Sequence, residues 1–181
     1  MRFRKYSTRI DFLRLAIILS LLISLCACSL AQPQQIRCEP VRDFSCTVSC
    51  ESDETVYTFA LQVRPDNTLR AEVCTPQELA GVVFSTDGTD YTVNANGLEQ
   101  HFNESAFSAK SPVRLLFESI RAFLFTGTET LTALEEDTFS ARQNIGTTDV
   151  IAVFTRDGII KSVYCPTYER TFTFSEFQVN E

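Results

Sequence analysis

The stretch DFSCTVSCESDETVYTFALQV, residues 43–63, decides the fold. Phe44, Cys46, Val48 and Cys50 fall on every second residue, as do Tyr57, Phe59, Leu61 and Val63, with polar Glu51, Ser52, Asp53 and Glu54 between the two sets. A period of two puts each set on one face of an extended strand. Two such strands joined by a polar stretch form a hairpin with one apolar side.

The pattern continues downstream. Pro65-Asp66-Asn67 is a turn signal, after which Leu69, Ala71 and Val73 alternate with Arg70, Glu72 and Cys74. Further strands are expected at 82–85, 91–94 and 98–102, with Asp87-Gly88 and Asn96-Gly97 as the tight turns between them. Ser111-Pro112 then starts a helix, Ser as the cap and Pro at the first helical position. Val113, Leu116, Phe117, Ile120 and Leu124 follow at helical spacing, and Gly127 ends the run. Strand patterns resume at 131–134, 138–141, 150–155, 159–165 and 169–177, with Asp157-Gly158 as another hairpin turn. The apolar stripe of the one helix needs a surface to bury it, and a curved sheet offers one. The expected class is mainly β (α+β): a curved antiparallel sheet or incomplete barrel, residues 43–181, with a helix packed on its concave face.

Upstream of this domain the chain changes character. Basic residues through Arg14 precede the mostly apolar run Leu15 to Leu25 and then Leu25-Cys26-Ala27-Cys28. This is the three-part layout of an export signal, residues 1–27. The last four residues resemble a lipobox, with an apolar residue three before the cysteine and a small one directly before it. That resemblance makes Cys28 the lipidation site and implies diacylglycerol on its sulfur. Cys26 is the poorer acceptor, because bulky Leu25 would lie directly before the cut. An uncleaved helix from Leu15 to Ala31 falls short of the roughly 20 apolar residues that a bilayer core needs. Two buried acyl chains give stable anchoring where one is marginal. The expected home is a membrane face outside the cytoplasm, at the cell surface or in a periplasm. Residues 28–42, with Pro33, Pro40 and three Gln, read as a tether of at most about 50 Å.

The whole chain carries a net charge of −7. Arg2, Arg4, Lys5, Arg9 and Arg14 against Asp11 give the leader +4, so the remainder carries −11. An acidic surface repels phosphate backbones, so no nucleic-acid partner is expected and the membrane partner is reached through the lipid on Cys28.

The order strand, Thr75-Pro76-Gln77-Glu78-Leu79-Ala80-Gly81, strand, Asp87-Gly88, strand, Gly97-Leu98, strand and Ser111-Pro112 helix resembles the lipoprotein-carrier superfamily of LolA, LolB and LppX-like bacterial proteins. The resemblance covers most of residues 43–181. It implies an incomplete antiparallel barrel whose apolar concavity is covered by helices and, in the best-known members, accommodates acyl chains. The carriers proper are soluble shuttles, whereas lipid on Cys28 would tether this chain.

Catalytic chemistry has little to stand on. The single histidine, His101, leaves no pair for a metal site or a Ser-His couple, and it reads as a residue on a strand face. Gly-x-Gly-x-x-Gly, phosphate-loop and Gly-x-Ser-x-Gly motifs are absent from the sequence. Glu135, Glu136 and Asp137 read as a solvated turn rather than a cation site, and the sequon Asn103-Glu104-Ser105 reads as chance. Cys38, Cys46, Cys50, Cys74 and Cys165 lack the close paired spacing of a zinc site. Cys46 and Cys50, about 13 Å apart on one strand, cannot bond to each other and read as core residues.

The expected function is a membrane-anchored, non-enzymatic binding module without cofactor or metal, holding a lipid or lipoprotein ligand in an apolar cavity. Its expected lining is Phe59, Leu61, Leu116, Phe117 and Ile120. The alternative is a cell-envelope lipoprotein with a solid core that binds another protein and no ligand.

Overall fold

A computed structural model describes residues 39–180 apart from 53–54, 127–130 and 136. The leader, Cys28, Cys38, Gly127 and Glu136 lie outside the described residues. The strands are β1 (Phe44–Ser52), β2 (Thr55–Val63), β3 (Leu69–Thr75), β4 (Val83–Thr86), β5 (Asp90–Ala95), β6 (Leu98–Asn103), β7 (Leu131–Glu135), β8 (Thr138–Ile145), β9 (Thr148–Thr155), β10 (Ile160–Cys165) and β11 (Arg170–Val179). Among the described residues one α-helix, α1 (Pro112–Leu124), stands between β6 and β7, and short 3-10 turns occupy Gln77–Leu79, Glu104–Ala106 and Pro166–Tyr168.

The eleven strands form one sheet in the order β6-β5-β4-β3-β2-β1-β11-β10-β9-β8-β7. Adjacent strands run antiparallel, as hairpin connections require. The expected alternation decides which face is inside: Phe44, Cys46, Val48 and Cys50 of β1, Phe59, Leu61 and Val63 of β2, and Leu69, Ala71 and Val73 of β3 are buried. The first and last strands pair with each other, Phe44 opposite Val179 and Cys50 opposite Phe172. The backbone N–H of Asn180 donates to the Asp43 carbonyl at 3.1 Å.

Contacts to α1 show that the sheet curls. The Arg121 guanidinium donates to the Thr86 hydroxyl on β4 at 2.8 Å. Two residues on, the Phe123 ring meets Phe154 of β9 edge-on with centroids 6.1 Å apart. In the sheet order β4 and β9 stand six strands apart, about 29 Å in a flat sheet. Residues two apart on a helix differ by only about 3 Å of rise, so a flat sheet cannot touch both. The sheet therefore wraps around the helix as an open, incomplete barrel, and α1 lies on its concave side. Val113, Leu115, Leu116, Phe117, Ile120, Phe123 and Leu124 face that interior.

Details differ from the expectation. The polar stretch 51–54 is not all turn: Glu51 and Ser52 continue β1, opposite Val56 and Thr55. Ser111 precedes the helix, but its hydroxyl makes no capping bond; only its carbonyl accepts, from the Leu115 N–H at 3.0 Å. The helix ends at Leu124, and Phe125 caps it through its N–H to the Arg121 carbonyl. β8 and β9 meet at a tight turn where Gly146 takes φ 60°, a turn that the periodicity did not announce. The last residues of the segment read as a tether sit on the domain, where the Val41 N–H donates to the Gly158 carbonyl at 3.0 Å.

Candidate functional site

The five residues expected to line a cavity come together. Phe59 and Leu61 project from β2 and Leu116, Phe117 and Ile120 from α1, all within one apolar cluster and each at most 1% exposed. The Phe117 ring stacks on Tyr91 of β5 with centroids 6.0 Å apart. The helix, thirteen residues long, buries a continuous apolar stripe, so it seals this region.

Two openings border the turn Glu104–Ala106. The first is an apolar groove of about 440 Å³, lined by Phe84, Val93, Leu98, Phe102, Ala106 and Phe107 among others. Phe107 roofs it, with edge-on contacts to Phe84 at 6.2 Å and Phe102 at 5.8 Å. The same ring lies 5.0 Å from Tyr91, so an aromatic path runs from the groove to Phe117 beneath the helix. Leu98 at its mouth is 75% exposed and extends the groove's apolar lining to the surface.

The second opening is a cleft of about 490 Å³ between α1 and the β8–β9 turn, lined by Glu104, Arg114, Glu118, Arg121, Asn144 and Gly146 among others. Arg114 organises it. Its guanidinium donates to Glu104 Oε1 and to Glu118 Oε1, each at 2.6 Å, and to the Phe107 carbonyl at 2.9 Å. Burial pushes the Glu118 carboxyl up despite Arg114, whose hydrogen bond and charge pull the other way. The Arg114 guanidinium is in turn held in its charged form chiefly by its hydrogen bond to Glu118. The Tyr91 hydroxyl, buried beside this cluster, has no hydrogen-bond partner among the described residues, and desolvation lifts its pKa to about 12. The Arg121 Nε is likewise buried without a partner.

Neither opening was among the sequence expectations. The Arg114–Glu118 pair, four apart on a helix, was the visible signal. The groove unites residues of β4, β5, β6 and the turn after β6, which no spacing reveals.

The remaining candidates are placed as follows. His101 lies exposed on β6, its Nδ1 3.1 Å from the Thr92 hydroxyl and its Nε2 3.5 Å from Glu99. Asp137 is exposed in the β7–β8 turn. Among the described residues Cys46, Cys50, Cys74 and Cys165 are free thiols, and only Cys74 is exposed. Burial pushes the Cys46 thiol up to about 12 and that of Cys50 to about 11. No group of three metal-ligating side chains occurs among the described residues. Among them, too, no helix is long and apolar enough to cross a membrane.

No protein-family model matches the chain, and no curated protein does. The fold is similar to several solved structures. An uncharacterized conserved protein from Thermus thermophilus superposes with TM-score 0.48 at 11% identity, covering 78% of this chain and 80% of that one. A LolA superfamily protein from Nitrosomonas europaea gives 0.43 at 7% identity, covering 81% and 90%. The lipoprotein LppX from Mycobacterium tuberculosis gives 0.40 at 13% identity, covering 77% and 89%.

Proposed function

We propose that this chain is a membrane-anchored extracytoplasmic lipoprotein, held through diacylglycerol on Cys28, whose β domain is a non-enzymatic binding module for a lipid or lipidated ligand. The supporting observation is the apolar groove and the row of rings leading inward from it, Phe107 to Tyr91 to Phe117. Its volume of about 440 Å³ falls in the range of small-molecule sites, roughly 300–1,000 Å³. An acyl chain laid against Phe84 and Phe102 covers exposed Leu98 and removes apolar surface from water, worth about 25 cal/mol per Å². Swinging Phe107 aside and lifting α1 would extend the site to Leu116, Phe117, Ile120, Phe59 and Leu61.

Two measurements test this. Native mass spectrometry of the protein purified from membranes is expected to show noncovalent lipid in addition to the mass on Cys28; a preparation free of such lipid, and unable to acquire it from vesicles, overturns the binding role. Cys28→Ala is expected to leave the membrane fraction, and unchanged membrane association overturns the anchor.

A second reading has its own support in the complete burial of all five expected lining residues. In it the core is solid, no ligand enters, and the acidic surface meets another envelope protein. A stoichiometric protein partner in a pull-down, with no lipid in the preparation, selects that reading.

A further inference from the structure

The groove and the cleft are two sides of one turn. Ala106 and Phe107 border the apolar side, while Glu104 borders the charged side with Arg114, Glu118 and Arg121. The charges of the cleft are unevenly matched. One guanidinium, that of Arg114, serves the two carboxylates of Glu104 and Glu118, which leaves that end net negative. Arg121 has no carboxylate partner among the described residues; one of its nitrogens donates to the Thr86 hydroxyl at 2.8 Å, and its Nε stays buried and unpartnered. Buried polar atoms are rarely left this way, and a guanidinium with free donors matches phosphate geometry. The cleft is thus dipolar, positive at Arg121 and negative at Glu104 and Glu118, beside a groove suited to hydrocarbon.

We propose that the cleft receives the headgroup of a zwitterionic phospholipid, its phosphate on Arg121 and its ammonium toward Glu104 and Glu118, while the acyl chains occupy the groove. This rests on the lipid-binding reading above and narrows it to a ligand class. An anionic headgroup has nothing to offer Glu104 and Glu118, and is opposed by the acidic remainder of the chain.

The test offers the full-length protein, purified in detergent, equimolar dioleoyl phosphatidylethanolamine and dioleoyl phosphatidylglycerol in mixed micelles, and counts bound lipid by native mass spectrometry. The ethanolamine lipid is expected to bind preferentially, about tenfold, the scale of one hydrogen bond to a charged group. Glu104→Gln is expected to bring the two lipids close to parity, whereas Arg121→Gln, which removes the group that holds the phosphate both lipids carry, is expected to weaken uptake of both about tenfold, and Arg121→Lys to keep much of that uptake. Thr86→Val, which removes the hydroxyl partner of Arg121 but not the guanidinium, is expected to keep it as well. Because Glu104 is a half-exposed side chain, its variant reports on the headgroup even where Arg121→Gln fails to fold. Equal uptake by the unmodified protein, or a preference unchanged in folded Glu104→Gln, overturns the headgroup site and leaves lipid binding standing. Failure to bind either lipid overturns the lipid-binding reading itself.

Discussion

The helix can be stapled to the sheet to ask whether it must move. The Ser119 hydroxyl on α1 lies 4.0 Å from the thiol of Cys165 on β10, and both side chains are fully buried. Ser119→Cys would bring two sulfurs within a rotamer change of bonding distance. The bond would close a loop across a separation of 46 residues. In the chain-entropy description that removes about 4 kcal/mol of freedom from the unfolded state, less whatever strain the bond imposes. With a urea slope of about 2 kcal/mol/M the unfolding midpoint should rise by about 2 M on oxidation. The assay compares oxidised and reduced forms of the same variant, with Cys38 and Cys74 changed to Ser to prevent exchange. Native mass spectrometry of both forms then reads lipid uptake. If deep ligand entry needs α1 to lift, the oxidised form should lose uptake and regain it on reduction. Failure of the sulfurs to join under mild oxidant, or a bond that leaves the midpoint unchanged, would refute the placement of α1 over β10. Undiminished uptake by the stapled form would confine the ligand to the surface groove.

Four further outcomes are expected. Phe117→Ala should cost about 3–5 kcal/mol in chemical denaturation, because it empties the centre of the core; a loss below about 1 kcal/mol would indicate a pre-existing cavity there. With burial holding the Cys46 thiol at about 12, its thiolate fraction at pH 8 is about a thousandfold below that of a thiol at 9.0, so iodoacetamide should modify Cys74 first while Cys46 remains protected in the native state. Arg114→Met removes the influences that lower the Glu118 pKa, so its folded-state value should rise further above the ordinary 4.5. A carboxyl raised on folding loses stability as pH climbs through that value, so the variant's deficit should be smaller at pH 4 than at pH 7, and a pH-independent deficit contradicts the assignment. Gly158→Ala places a methyl 2.1 Å from the Glu39 carbonyl oxygen at φ +81°, so hydrogen exchange at Val41 should accelerate and stability should fall by at least about 1 kcal/mol.

Much of the architecture was readable from alternation alone. Phe44 to Cys50 and Phe59 to Val63 announce their faces because half-buried strands repeat every two residues, and the Asp-Gly and Asn-Gly pairs announce their turns. The curl was inferable from the apolar stripe of α1, which had to find a surface. The second half of β8 was less legible, because Arg142 to Ile145 alternate between exposed and half-buried positions rather than between outside and core. That hides the Gly146 turn. Ser111 misled in detail: the residue occupies the cap position, but its side chain does not take the bond. The groove and cleft were not readable at all. Glu104 and Asn144 face one opening from forty residues apart, and that proximity follows from closure of the sheet rather than from any local pattern.

The pairing of β1 with β11 sets the order in which the molecule can be completed. β11 follows all other strands in the chain, yet its place is at the middle of the sheet. Until it pairs, β1 to β6 and β7 to β10 have no strand joining them, and β1 and β10 each present an unpaired edge where the seam forms. Such edges recruit foreign strands. A chain emerging amino-end first therefore stays vulnerable to misassembly until β11 is free, and loss of residues 170–179 should cost the join between halves rather than one peripheral strand.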